Sequence, residues 1–361
     1  MDVTGHPTSF WHRLPDGRVQ CDLCPRECRL RDGQRGLCFV RANHGGRVVL
    51  TTYGRSSGYC VDPIEKKPLN HFLPGTPVLS FGTAGCNLAC KFCQNWDITK
   101  SRAMDTLADR ATPVQIARAA ERLGCRSVAF TYNDPVVFHE YAIDVAWACQ
   151  ERGIRSVAVT AGYVSPGPRR QFYAAMDAAN IDLKAFTDRF YRKICGGSLA
   201  PVLETIEYVR HETRVWMELT TLLIPGENDS PDEIDRLSFW IADRLGPDVP
   251  VHFTAFHPDW RLRDRSPTPL ATLARARVIA MSHGLRYVYV GNVRQREGGA
   301  TYCHGCGQLL IGRDGYVLRE WNLVEAGACS RCGTVCPGVF EAVRGDWGAR
   351  RLPVRLSEFA A

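Results

Sequence analysis

The chain has 361 residues, 45% hydrophobic and 23% charged, with a formal net charge of +7. These are the proportions of an ordinary soluble globular protein, long enough for one large barrel domain with small appendages. The opening MDVTGHPTSFWHRLPDG has no apolar core of signal-peptide length, and no apolar run reaches about eighteen residues, so neither a secretory leader nor a membrane span is expected. The mild positive charge suits an anionic partner such as RNA or an acidic protein. No basic run of nucleic-acid-binding length exists, which favours a generally basic surface and leaves nucleic acid open. Sixteen cysteines without a secretory signal point to a reducing, cytoplasmic compartment, where clustered thiols bind metals rather than pair.

The first segment, residues 1–76, carries QCDLCPRECRLRDGQRGLC. Its Cys21, Cys24, Cys28 and Cys38 make a complete set of ligands for zinc or for an iron–sulfur cluster, and the spacing does not separate the two. Pro25 stiffens the turn after Cys24, and Gly33 and Gly36 read as turns that bring Cys38 back. RVVLTTYG, from Arg47, reads as a short strand. DPIEKKPLNHFLPG, from Asp62 to Gly75, has three prolines that exclude a regular helix. By composition it is a solvated linker.

From residue 77 to 298 short apolar strands alternate with amphipathic helices. Strands are expected at 78–81, 127–131, 156–160, 179–183, 215–223, 251–255 and 285–290. Thr112 and Pro113 are a helix N-cap and first-turn proline, with Gly124 as the stop, and the stretches 231–245 and 269–282 repeat the pattern before Gly246 and Gly284. Such units demand a parallel sheet with right-handed crossovers, and their number fits a partial (β/α) barrel of the TIM-like kind. Chemistry in that architecture sits at the C-terminal ends of the strands. The chain puts its polar residues there: residues 132–135, 160–163, Asp182 with Lys184, Glu218 with Thr220 and Thr221, 256–259, and Asn292.

The first of these strands runs into FGTAGCNLACKFCQNW, where Cys86, Cys90 and Cys93 form a C-x3-C-x2-C array. Three thiolates hold three of the four corners of a [4Fe–4S] cluster and leave one iron open. An open metal position is a reactive one. A zinc knuckle is the competing reading, but zinc favours C-x2-C pairs repeated at a distance. That second pattern stands in residues 299–345. Cys303 and Cys306, then Cys329 and Cys332, are each followed by a glycine, and they read as a zinc ribbon, with an iron–sulfur cluster as the alternative. Cys336 and His304 are spare candidates. Cys60, Cys125, Cys149 and Cys195 stand alone and read as core thiols. Residues 346–361 read as a short exposed tail.

The array around Cys86, with Phe92 before its last cysteine, resembles the radical S-adenosylmethionine (SAM) superfamily. Together, DPIEKKPLNHFLPG, GCNLACKFCQNW, TYNDP, NIDLKAF, LTTLLIPGENDS, HFTAFHPDW and YVYVGNV resemble the radical SAM enzyme of the AmmeMemoRadiSam system, which is similar to pyruvate formate-lyase activating enzymes. The resemblance implies a partial (β/α)6-type barrel, a [4Fe–4S] cluster on Cys86, Cys90 and Cys93, and SAM cleaved reductively to a 5'-deoxyadenosyl radical that abstracts hydrogen from a substrate. It implies SAM contacts for Asn133, Asp134, Asp182 and Lys184, and packing of DPIEKKPLNHFLPG near the active site. The family usually shows Glu at Asp134 and Asn at Ala161. It also implies an electron donor such as a flavodoxin or ferredoxin, and Memo-like and AMMECR-like partners. Substrate-side roles fall on His257, Glu65 or Lys66. The expected activity is most like a glycyl-radical-enzyme activase. RNA or peptide modification, and a catalytically idle metal-loaded interaction protein, are the alternatives.

Overall fold

The computed structural model describes residues 5–100, 107 and 109–359. Its centre is a nine-stranded sheet. In chain order the strands are β1 (Tyr59–Pro63), β2 (Pro77–Phe81), β3 (Ser127–Phe130), β4 (Arg155–Thr160), β5 (Ala178–Asp182), β6 (Trp216–Leu223), β7 (Val251–Ala255), β8 (Val288–Gly291) and β9 (Leu352–Val354). They lie side by side as β8-β7-β6-β5-β4-β3-β2-β1-β9. Neighbours from β2 to β8 are parallel, and β1 and β9 extend the β2 edge antiparallel. This is the expected parallel α/β barrel sheet, left open between β8 and β9.

The strands that sit in the middle have no wet face. All of β3 (SVAF) and all of β7 (VHFTA) are buried, as covering helices on a parallel sheet require. Those helices are α1 (Pro113–Arg122), α2 (His139–Gln150), α3 (Pro166–Ala174), α4 (Ala200–Glu212), α5 (Pro231–Leu245) and α6 (Leu270–Ser282). Local chemistry sets their ends. Thr112 and Gln115 close a capping box at the start of α1, and Ser230 Oγ accepts the Glu233 N–H at 3.2 Å to start α5. Gly246 stops α5 with φ +88°, a conformation costly for other residues.

The sheet reaches beyond the 77–298 span expected for the barrel. Residues 59–63 of the first segment supply β1, because YCVDP is buried throughout. The expected exposed tail supplies β9: Leu352 pairs with Val61 and Val354 with Tyr59, and Leu356 is buried. A segment too polar to form a core of its own is held by an open sheet edge. DPIEKKPLNHFLPG is not a solvated linker either. Asp62 and Lys67 are buried and paired at 2.7 Å, while Leu69 and Phe72 pack with Val78, Val157 and Ala178 near the strand starts. Glu218 inside the barrel accepts the N–H groups of Asn70 (3.0 Å) and His71 (2.7 Å) and fixes this segment in place.

The N-terminal cysteines lie between two small antiparallel sheets, one of Trp11–Arg13, Val19–Cys21 and Arg29–Leu30, the other of His6–Pro7, Arg47–Leu50 and Arg41–His44. Val19, Leu23, Cys24 and Val40 belong to the same buried cluster as the barrel. The C-terminal segment adds a sheet of Thr301–Tyr302, Leu309–Asp314 and Val317–Trp321, packed on Tyr287 and Tyr289 of the last barrel strand region. Among the described residues no helix is long and apolar enough to cross a membrane.

Candidate active site and metal centres

A cavity of about 300 Å3 opens at the C-terminal ends of the parallel strands. Cys86, Cys90 and Cys93 line one side, and Asn133, Asp134, Asp182 and Lys184 line others. The seven positions are scattered over about a hundred residues of sequence. A parallel sheet brings every strand's carboxyl end to the same rim, and that is why they meet.

The cysteine loop leaves β2 through two tight glycines. A Cβ on Gly82 would stand 2.3 Å from the Thr131 carbonyl oxygen, and one on Gly85, at φ +77°, 1.8 Å from that of Cys38. Asn133 then holds the loop. Its Oδ1 accepts the Thr83 N–H at 3.0 Å, and its Nδ2 donates to Gly85 O at 2.8 Å, Ala84 O at 3.2 Å and Thr83 Oγ1 at 3.3 Å. The neighbouring Tyr132 sits at φ +71°, a strained conformation for a bulky residue. It is held by Asn95 Nδ2 on its carbonyl at 3.0 Å and by its own hydroxyl donating to Asp62 at 3.1 Å.

Asp134 also faces inward on its own chain. Its oxygens accept from the Val136 N–H, the Thr160 hydroxyl and the Ala161 N–H, each at 3.0 Å. Burial raises its carboxyl above the usual range against these bonds. It clasps the turn after β3 to the end of β4. Asp182 and Lys184 are a half-buried ion pair on the cavity wall, with Nζ 2.9 Å from Oδ2. Burial alone would depress Lys184, but Asp182, Cys90 and Cys195 raise it well above the ordinary value, so it stays cationic.

Sequence reasoning missed three side chains here. Lys100 donates from Nζ to Leu88 O at 2.9 Å and lies over the Trp260 ring at 5.3 Å. It follows a single helical turn, Trp96–Thr99, that returns the chain to the cysteine loop; a cation just past such a turn was the available signal. Thr99 Oγ1 lies 3.1 Å from Cys93 Sγ. Cys195, read as a lone core thiol, hydrogen-bonds the Cys90 thiol, which brings the pKa of Cys90 down to about 7, while burial and the same contact hold that of Cys195 well above the ordinary thiol value. The Ala89 N–H donates to Cys195 O at 2.8 Å. Nothing in the spacing announces that contact. Of the substrate-side residues, Lys66 lines the cavity. Glu65 lines a second cavity of about 330 Å3, which shares Lys66, Pro68, Thr254 and Asn292 with the first. His257 is exposed and lines neither.

The donors fit the groups that a C-x3-C-x2-C loop implies. Three thiols face one side of a cavity whose other walls carry a carboxylate, an ammonium and Thr220 Oγ1, a buried hydroxyl without a partner. Burial pushes the Cys86 thiol up to about 12, so binding a metal here releases a proton.

The C-terminal cysteines form a separate, tighter group. Cys303, Cys306, Cys329 and Cys332 have all four sulfurs within 4.8 Å of one another, with 3.6 Å between Cys303 and Cys332 and 3.7 Å between Cys306 and Cys329. Gly307 and Gly333, at φ +72° and +75°, turn each loop so that its N–H returns 2.9 Å to the carbonyl of the first cysteine of its pair. This group can hold a metal. Cys336 and His304 are not in it; His304 bonds the Tyr287 hydroxyl at 2.8 Å.

Known proteins resemble this chain in sequence. The model of the radical SAM superfamily matches residues 81–237. An uncharacterized protein of Methanocaldococcus jannaschii is 40% identical over 325 residues, 90% of this chain and 96% of that one. A GTP 3',8-cyclase of Lactiplantibacillus plantarum is 25% identical over 263 residues, 66% of this chain and 78% of the relative. A pyruvate formate-lyase-activating enzyme of Clostridium pasteurianum is 24% identical over 194 residues, 50% of this chain and 80% of the relative.

Proposed function

The chain belongs to the radical SAM superfamily, and we propose that it abstracts hydrogen from a macromolecular substrate, in the manner of a glycyl-radical-enzyme activase of the AmmeMemoRadiSam type. The observation that carries this reading is the convergence of three thiols and the Asp182–Lys184 pair on one cavity at the strand ends. A [4Fe–4S] cluster and SAM, if bound there, would supply the reductive cleavage of SAM. Cys86, Cys90 and Cys93 are the iron ligands in this reading. Lys184 offers its ammonium to the SAM carboxylate, and Asp182 its carboxylate to the SAM amino group. Asn133 and Asp134 act on SAM through the loop and strand end that they hold. Lys100 adds positive charge beside the thiolates, which favours their ionised form.

The second cavity is the route for the substrate. It shares Lys66, Pro68, Thr254 and Asn292 with the first, and it is lined by Glu65, Arg313 and Tyr316. Burial raises Glu65 to about 7, so its carboxyl exchanges a proton near neutral pH. The four-sulfur C-terminal group holds zinc and stiffens that wall. An acidic one-electron carrier of the flavodoxin or ferredoxin class is the donor, and Memo-like and AMMECR-like proteins are the partners by resemblance. The test is anaerobic reconstitution with iron and sulfide, reduction by dithionite with SAM, and mass spectrometry of 5'-deoxyadenosine. Its formation, lost in Cys90→Ala, is the expected result. No 5'-deoxyadenosine from an iron-loaded chain, with or without the partner proteins, would refute the reading and favour an idle barrel.

A further inference from the structure

We propose that Cys21, Cys24, Cys28 and Cys38 hold a second [4Fe–4S] cluster, ligated at all four corners, that stands directly behind the first site and passes electrons into it. The cluster does not depend on the reading of the first site; the relay does.

The thiols themselves separate zinc from a cluster. All four line one small void. A single zinc draws four sulfurs to about 2.3 Å from one point, hence to about 3.8 Å from one another. The C-terminal group has that spacing. Among the described residues it is the only set of three or more Cys, His, Asp or Glu ligand atoms within 4.8 Å of one another. The N-terminal thiols stand wider. The void that they line is large enough to admit a water molecule. A metal atom in contact with all four sulfurs leaves no such space. A four-iron cube, with one thiolate at each corner, fills it. Arg41, 1% exposed, lines the same void and is tied to Glu140 and to Val137 O. Its buried charge offsets part of the negative charge of four thiolates.

The position of the void gives the role. Asn87 lines it, while the residues on either side, Cys86 and Leu88, line the first cavity. The same stretch of backbone, residues 86–88, borders both. Cys38 O packs against Gly85 so closely that no side chain fits there, and Arg26 Nε donates to Asn87 O at 2.8 Å to hold the faces together. Leu37, which lines the void, is 42% exposed, and Arg29 and Arg31 of the same cysteine segment are exposed. An acidic carrier docking there gives one electron to the second cluster, taking it from the 2+ to the 1+ state. Transfer across residues 86–88 returns it to 2+ and reduces the first cluster from 2+ to 1+. The carrier is oxidised by one electron.

The test uses the full chain with Cys86, Cys90 and Cys93 all replaced by Ala, reconstituted anaerobically with iron and sulfide. About four irons and four sulfides and a reduced-cluster electron paramagnetic resonance signal after dithionite are expected. Adding Cys24→Ala and Cys38→Ala should remove them, while circular dichroism and the C-terminal zinc stay unchanged. Iron-free protein, or a second zinc in place of the iron, overturns the cluster. In the unsubstituted chain about eight irons are expected, and about four would overturn it independently of how the variants fold. For the relay, Cys24→Ala should slow reduction of the first cluster by reduced flavodoxin at least tenfold and leave reduction by dithionite unchanged. Equal rates with flavodoxin overturn the relay.

Discussion

Asn133→Ala is the sharpest probe of how the cysteine loop is built. The side chain makes four hydrogen bonds to residues 83–85, from 2.8 to 3.3 Å, at a position 4% exposed. A net contribution of about 1 kcal/mol each, with buried partners left unpaired in the variant, sums to about 3–4 kcal/mol. That is a large share of the roughly 5–15 kcal/mol by which a domain is stable. Part of the loss is local, because the loop can detach while the barrel stays folded. The assay is urea unfolding of the metal-free chain, together with hydrogen exchange at the Thr83 amide and iron content after reconstitution. A loss of at least about 2 kcal/mol, or rapid exchange at Thr83 with iron loading cut by half, is expected. An Asn133→Asp variant should fare no better, since it keeps the acceptor for the Thr83 N–H but turns oxygen toward the carbonyls of Ala84 and Gly85. If Asn133→Ala unfolds within about 0.5 kcal/mol of the parent and loads iron fully, the loop is held by something else.

Lys184→Ala should weaken SAM binding at least tenfold in anaerobic calorimetry of the loaded protein; unchanged affinity removes Lys184 from the site. Glu65 gives a pH signature. Its folded value of about 7 lies above the ordinary 4.5, so the stability it contributes is complete below pH 4.5 and is lost as pH rises to about 7. Glu65→Gln should therefore gain stability relative to the parent across that window, by on the order of 3 kcal/mol, with no further change above it. A difference that does not vary with pH would show that the Glu65 carboxyl is already ionised when folded. Cys329→Ser should release one zinc to a colorimetric chelator and lower the melting temperature, and a variant with the parent's zinc content would argue that this group holds none.

The two kinds of information divided the problem along a physical line. Covalent spacing and local propensity act within a few residues, and there the sequence was a sufficient guide. C-x3-C-x2-C, the paired C-x2-C with their glycines, and the capped helices 113–122 and 231–245 all lie where their own neighbours dictate. The strand order also followed from local pattern, because alternating strand and helix admit few topologies. The end of the chain and the composition of DPIEKKPLNHFLPG misled for the converse reason, although the family resemblance did imply that the latter packs near the active site. The burial of Val354, Asn70 and His71 comes from a sheet edge and from Glu218, partners more than a hundred residues away in the chain, and composition carries no trace of such partners. The hydrogen bonds of Asn133 and Asp134 were hidden in the same way: a motif names the residues, but only the fold shows that they bond the cysteine loop and the end of the next strand. The void between Cys21, Cys24, Cys28 and Cys38, set against the compact group at Cys303, Cys306, Cys329 and Cys332, is the clearest case. Four cysteines in a row state how many ligands there are. How far apart the packed chain holds their sulfurs, a distance set by Arg41, Asn87 and the barrel behind them, decides what fits between.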